Sequence, residues 1–195
     1  MNKVRITETV TRGMRKTLSP QRKTAGLKAG GKGLIDFLKR HFAKKDQSEP
    51  NQLGGDRTHF WLQIGRSVEE SPTIEQGRVR IPIRDKRFPQ KLYGGQIVPK
   101  RAKALTIPIH PAAHGRSAAQ VSAKVGGLFI LKTKAGEAFL AGKVGKVVTL
   151  YYLLKRRVFQ APWPGTLPPD RSMKWVLTYW IGRYYKDLFK KASRK

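Results

Sequence analysis

Four histidines and 12 carboxylates are all that this chain offers for acid–base or metal chemistry, against 41 lysines and arginines. His59, His110 and His114 could act as bases, and His110 and His114 stand four apart, a separation at which two imidazoles on one helix face can share a metal ion. Neither an acid nor a third ligand accompanies that pair, and Pro111 and Gly115 disturb the helix it would need. The acids are scattered through loops and turns, so they do not form the cluster with which a nuclease holds Mg²⁺. A glycine-rich phosphate loop ending in Lys-Ser/Thr is absent, as are G-x-S-x-G and H-E-x-x-H. With no cysteine, disulfides, thiol nucleophiles and Cys-ligated zinc are excluded. The expectation is a protein that is not an enzyme and carries no cofactor and no metal.

What the residues do favour is contact with anions. The formal net charge is +29, and nucleic acid, an acidic protein surface or an anionic membrane could each supply the counter-charge. The bases are spread rather than confined to a tail: residues 1–45 hold thirteen Lys/Arg and two acids, and residues 170–195 hold eight and two. Two clusters stand out as phosphate or partner contacts, Lys100-Arg101 with Lys103, and the run Lys155-Arg156-Arg157. No zinc finger, RNP aromatic motif or helix-turn-helix accompanies them, so any nucleic-acid contact would be blind to sequence. No run of about 18 apolar residues suggests a membrane span, and no apolar core follows the basic N-terminus as in a secretory signal, so the expected compartment is a cytoplasm.

The elements that position these residues follow from periodicity and turn chemistry. Residues 3–9, KVRITET, suit an opening strand, although Ile6, Val10 and Met14 also sit at helical spacing. Ser19-Pro20 then starts a helix whose Leu27, Leu34, Ile35, Leu38 and Phe42 recur at helical intervals to about Lys45. Gly26, Gly30, Gly31 and Gly33 interrupt it at about 1 kcal/mol each relative to alanine, which close packing, a break or fraying would account for. Residues 46–55 read as a surface loop, and Asp56 as the cap of a short helix carrying Phe60, Trp61, Ile64 and Val68. Arg78–Arg84 alternates, placing Val79, Ile81 and Ile83 on a core and Arg78, Arg80 and Arg84 on a basic outer face.

Phe88–Leu92 suits a helical turn that places Tyr93, and Gly94-Gly95 a sharp bend. Residues 96–98 and 104–107 read as two strands joined by the basic loop. His110–Val125 suits a surface helix or long loop. A meander follows over 128–133, 138–141 and a long strand 146–160. Residues 161–169, with four prolines, form a rigid connector. Asp170 caps a final amphipathic helix over 170–192, whose stripe of Met173, Val176, Leu177, Trp180, Ile181, Tyr184 and Leu188 packs on its own sheet or on a neighbouring subunit. Trp175, Tyr179 and Tyr185 broaden its aromatic surface, and Trp175 and Trp180 are its candidate contacts.

Three segments in this order resemble the phage virion morphogenesis and tail-completion family. The first is LIDFLKRHF followed by G-G-x-R-x-x-F-W, Leu34–Phe42 and Gly54–Trp61. The second is the run from Tyr93 to Pro108, similar to the family's G-G-x-I-x-P-K-x-A-K-x-L-x-I-P segment. The third, Leu150–Gly165, looks like its long strand and proline-rich exit, with Trp163 where the pattern usually has arginine. The resemblance implies one α+β domain over 1–195, a small curved, mostly antiparallel sheet flanked by an N-terminal helix and a C-terminal amphipathic helix. It also implies a structural neck protein of a tailed bacteriophage, assembled in the host cytoplasm and joining tail to head. The implied partners are further copies in a ring, a hexamer, together with portal or connector and tail-tube or tail-terminator proteins. Non-specific contact with genomic DNA in the lumen is implied too, and no membrane. A basic nucleic-acid-binding protein, ribosome-associated or DNA-binding, is the alternative that the charge alone supports.

Overall fold

The structure is a computed structural model, and it describes residues 2–6, 19–49 and 57–192. The chain is α+β, with an N-terminal helix, a C-terminal helix and strands in small antiparallel sheets. Its described residues divide into two compact units. The helical unit takes residues 2–6, 19–48, 59–92 and 163–192, and the sheet unit takes residues 49, 57–58 and 93–162.

In the helical unit, β1 (Asn2–Ile6) is the strand expected near the N-terminus, and the remainder of that expectation, from Thr7, lies outside the described residues. Helix α1 (Pro20–Ser48) begins where Ser19-Pro20 signals it: the Arg22 amide donates to Ser19 Oγ at 3.3 Å, and proline needs no amide partner in the first turn. It runs past Lys45 into the stretch expected to be a loop. Helix α5 (Asp170–Ala192) packs along it, and three of the four glycines mark where. A Cβ at Gly26 would come within 2.7 Å of the Tyr185 hydroxyl, and one at Gly30 within 2.7 Å of Ile181 Cγ1. At Gly33 it would collide with the Trp180 indole, while Gly31 meets Pro72 at 2.6 Å instead. The glycines therefore form no break. They cost about 4 kcal/mol of helix propensity together, which is offset by burying Leu177, Ile181 and Tyr185 at about 1.5–3 kcal/mol per large side chain.

The stripe of α5 thus lies on α1 rather than on a sheet, and Tyr185, expected on the outer aromatic surface, is buried with its hydroxyl donating to the Arg22 carbonyl at 3.3 Å. Burial pushes the Tyr185 phenol up from its ordinary pKa. Asp170 is the first helical residue of α5 and not its cap, a position where its charge still meets the positive helix end.

Helix α2 (Phe60–Arg66) starts later than Asp56, which lies outside the described residues, and takes its cap from elsewhere. His59 precedes it with φ 51°, and Asp46 of α1 accepts from the Leu62 amide at 3.2 Å and bonds His59 Nδ1 at 2.8 Å. Burial alone would raise the Asp46 carboxyl. The His59 bond and the Leu62 and Trp61 amides outweigh it and hold the group below its ordinary value. Trp61 stacks on Phe42 at 6.2 Å, and Phe88 meets Phe42 edge-on at 5.9 Å, so the aromatic centre of the core joins α1, α2 and α3 (Phe88–Tyr93).

Strand β3 (Arg78–Ile83) lies between β1 and β2 (Thr73–Glu75), with Val79, Ile81 and Ile83 buried as their alternation requires. Its outer face is less free than expected. Arg80 pairs with Glu75 across the ladder and Arg84 with Glu69 at 2.7 Å, so only Arg78 of the three stays clear of a carboxylate.

The sheet unit holds β4 (Gly95–Ile97), β5 (Leu105–Pro108), α4 (Ala118–Val125), β6 (Phe129–Lys132), β7 (Ala138–Val144), β8 (Val147–Lys155) and β9 (Val158–Gln160). The expected meander is present, in the order β5-β8-β7-β6. The expected long strand 146–160 is instead two strands: β8 pairs with β5, and after Arg156-Arg157 the chain enters β9, which pairs with β4 in a separate ribbon. Gly94, at φ 68°, makes that ribbon possible, because a Cβ there would sit 2.5 Å from the Gln160 carbonyl. Residues 110–125 form a short 3₁₀ turn and α4, whose Ser117 and Gln120 make a reciprocal capping box. The buried centre is small: Ala113, Val121, Tyr151 and Tyr152, with the Tyr152 hydroxyl donating to the Arg116 carbonyl at 3.0 Å.

Candidate interaction surfaces

The two basic clusters, 52 residues apart in sequence between Lys103 and Lys155, are brought together by strand register. Ile97 pairs with Val158 and Leu105 with Lys155, so the loop 98–104 leaves and re-enters the ladder opposite the corner at Arg156-Arg157. Two antiparallel ladders on one strand path, interrupted by seven residues on one side and two on the other, force the longer side to bulge outward. Lys100, Arg101, Lys103, Arg156 and Arg157 are all exposed there. Lys155 is not a free member, since Glu137 takes it at 3.2 Å.

Carboxylates explain why the other five stay unneutralised. Between Asp85 and Asp170 the chain has one acid, Glu137, so residues 93–162 carry twelve Lys/Arg against a single carboxylate. In the helical unit five acids are engaged: Lys39 with Glu70, His59 with Asp46, Arg80 with Glu75, Arg84 with Glu69, and Arg87 with Asp85. Arg87 grips Asp85 through two nitrogens, at 3.0 and 2.6 Å, and this bond holds the Asp85 carboxyl below and the guanidinium above their ordinary values. The sequence carried this asymmetry as an acid-free stretch, a signal that counting charge only at the two ends and over the whole chain passes over.

The two tryptophans part company. Trp175 is 66% exposed and stacks on Tyr179 at 5.4 Å, an aromatic pair open to a partner. Trp180 is half-buried over Gly33, with Arg183 against its ring at 5.2 Å, and so belongs to the α1–α5 packing.

A third surface was not foreseen. Phe129 and Ile130 on β6, an edge of the four-stranded sheet, and Val144, Val147 and Val148 at the β7–β8 turn are all exposed. Consecutive strand residues point to opposite faces, so Phe129 and Ile130 stand on the two sides of β6 and Val147 and Val148 on the two sides of β8, and the sequence pattern cannot say whether anything covers either side.

Three of the histidines, His41, His59 and His110, make hydrogen bonds within the fold. His110 Nδ1 accepts the Ala112 amide at 3.1 Å, and His41 bonds the Gly165 carbonyl at 3.0 Å. Among the described residues no three His, Asp or Glu side chains gather as a metal site requires, and no helix is long and apolar enough to cross a membrane. A shallow, open concavity follows the first turns of α1, lined by Pro20, Gln21, Thr24, Ala25 and Lys28, with no carboxylate or histidine. Taken together these are the features of an α+β chain that presents charge and apolar surface for contact. No family model, curated protein or solved structure matches it.

Proposed function

We propose that this chain is a structural subunit of a tailed-bacteriophage neck, a tail-completion protein that joins tail to head by assembling as a ring with connector and tail proteins. The observation that carries the reading is the uncovered apolar surface of the sheet unit, Phe129 and Ile130 on an edge strand and Val144, Val147 and Val148 at the adjoining turn. Edge strands left apolar are a liability in a monomer and a joint in an assembly. The ordered resemblance of Leu34–Phe42, Tyr93–Pro108 and Leu150–Gly165 to the tail-completion family supports the same role. The work done is docking and sealing, without catalysis, and its setting is the virion neck, assembled in the host cytoplasm.

The test is the mass of the nuclease-treated protein by size exclusion with light scattering, at low and high salt, alone and with connector or tail proteins. A ring-sized species, formed alone or on adding those partners, supports the reading. A monomer indifferent to them overturns it.

A further inference from the structure

We propose that the loop 98–104 and the Arg156-Arg157 corner form one binding site for the phosphate backbone of double-stranded DNA. The inference does not rest on the neck assignment, because it needs only the geometry and charge of the sheet unit.

Three observations carry it. First, the site is built by pairing. Both ends of the loop are fixed against a single strand path, at Val158 and at Lys155, which are three residues apart and so roughly 10 Å at about 3.3 Å per residue. Five exposed cations, Lys100, Arg101, Lys103, Arg156 and Arg157, thereby lie on the loop and the corner that these two anchors hold side by side. Second, no ion pair ties any of the five to a carboxylate among the described residues. The sole acid of residues 93–162 is Glu137, and it is spent on Lys155. Like charges so close repel one another in the free protein, and a polyanion relieves this. Third, the charge density selects the ligand. A duplex carries one negative charge per roughly 1.7 Å of axis counted over both strands, so roughly 10 Å of axis holds about six phosphates, of which those on the near side can meet these cations. Single strands are gripped by bases stacked on successive aromatic side chains. The corner has only Phe159, 76% exposed, with Gln96 across the ribbon from it.

The experiment is fluorescence anisotropy of a short labelled duplex titrated with the full-length protein over a range of salt. Variant one carries Lys100→Gln, Arg101→Gln, Lys103→Gln, Arg156→Gln and Arg157→Gln. Variant two removes the same charge from exposed helix positions: Lys28→Gln, Lys32→Gln, Lys44→Gln, Lys186→Gln and Lys190→Gln. We expect variant one to bind about a hundredfold more weakly at low salt and its log–log salt slope to shrink by about four, whereas variant two keeps the parent slope within about one. If variant one does not fold, the triple loop change at Lys100, Arg101 and Lys103 should shrink the slope by between about two and three. Equal losses in both variants, or none in the loop variants, would overturn the proposal. So would tighter binding of a single strand of the same length that depends on Phe159, or equal affinity for poly-L-glutamate with the same dependence on variant one. Loss of DNA binding leaves ring assembly intact, so the two readings fail separately.

Discussion

The two units of this chain keep their charges and their apolar residues in opposite ways. The helical unit buries sixteen hydrophobic residues from Leu34 to Tyr185, and four of its acids lie against a lysine or arginine with a fifth, Asp46, against His59. The sheet unit buries five, and of the twelve large hydrophobic residues exposed on the described surface it carries nine, from Tyr93 to Phe159. A region that satisfies itself internally holds the fold, and a region that does not is shaped for something outside it. Stability and contact are therefore separable here, and substitutions can test how cleanly.

The largest effect should follow from Phe42→Ala, which empties the site where Trp61 and Phe88 meet; we expect a loss of about 4 kcal/mol in denaturant unfolding. A loss under about 1 kcal/mol would mean that the helical core does not dominate stability. Next is a pair of glycines. Gly33→Ala should cost about 2 kcal/mol, because the added methyl displaces Trp180 by more than helix propensity returns. Gly182→Ala, on the open face of α5, should gain about 0.5–1 kcal/mol, and a matching loss at both positions would break the packing account.

Asp46→Asn should cost about 1 kcal/mol at neutral pH, because it removes the charge that strengthens the bonds to the Leu62 amide and His59. Its depressed carboxyl gives stability that is present above the unfolded value of 3.8 and lost as pH falls through the lower folded value. The parent and the variant should therefore converge on acidification below about pH 4 in thermal unfolding, and a gap that persists there would remove the linkage. The smallest effect on stability belongs to the sheet unit: Ile130→Lys should shift unfolding by less than about 0.5 kcal/mol while lowering the mass of any assembly by light scattering. An unchanged assembly would show that the β6 edge is not the joint.

Much of the helical unit was legible in the sequence. The Ser19-Pro20 start, the Leu34–Phe42 face, the alternation of Val79, Ile81 and Ile83 and the stripe of α5 are local patterns, set by the 3.6 and 2.0 residue periods of the backbone. Less legible was anything that needs a partner distant in sequence. Asp46 caps α2 from another helix in place of Asp56, and the glycines of α1 became intelligible once Leu177, Ile181 and Tyr185 lay on them.

The candidate site divides along the same line. Sequence alone determined which residues could meet a polyanion, the bases at 100–103 and 155–157, because charge is a property of the side chain wherever it stands. Tertiary structure decided that they are one site. The run 146–160, apolar throughout much of its length, reads as one strand, but pairing with β5 and then β4 divides it at Arg156-Arg157 and sets that corner beside the loop. Tertiary structure also withdrew Lys155 to Glu137 and Trp180 to Gly33 and left Trp175 outside. Register and burial are sums over contacts between distant segments, and no local period encodes them.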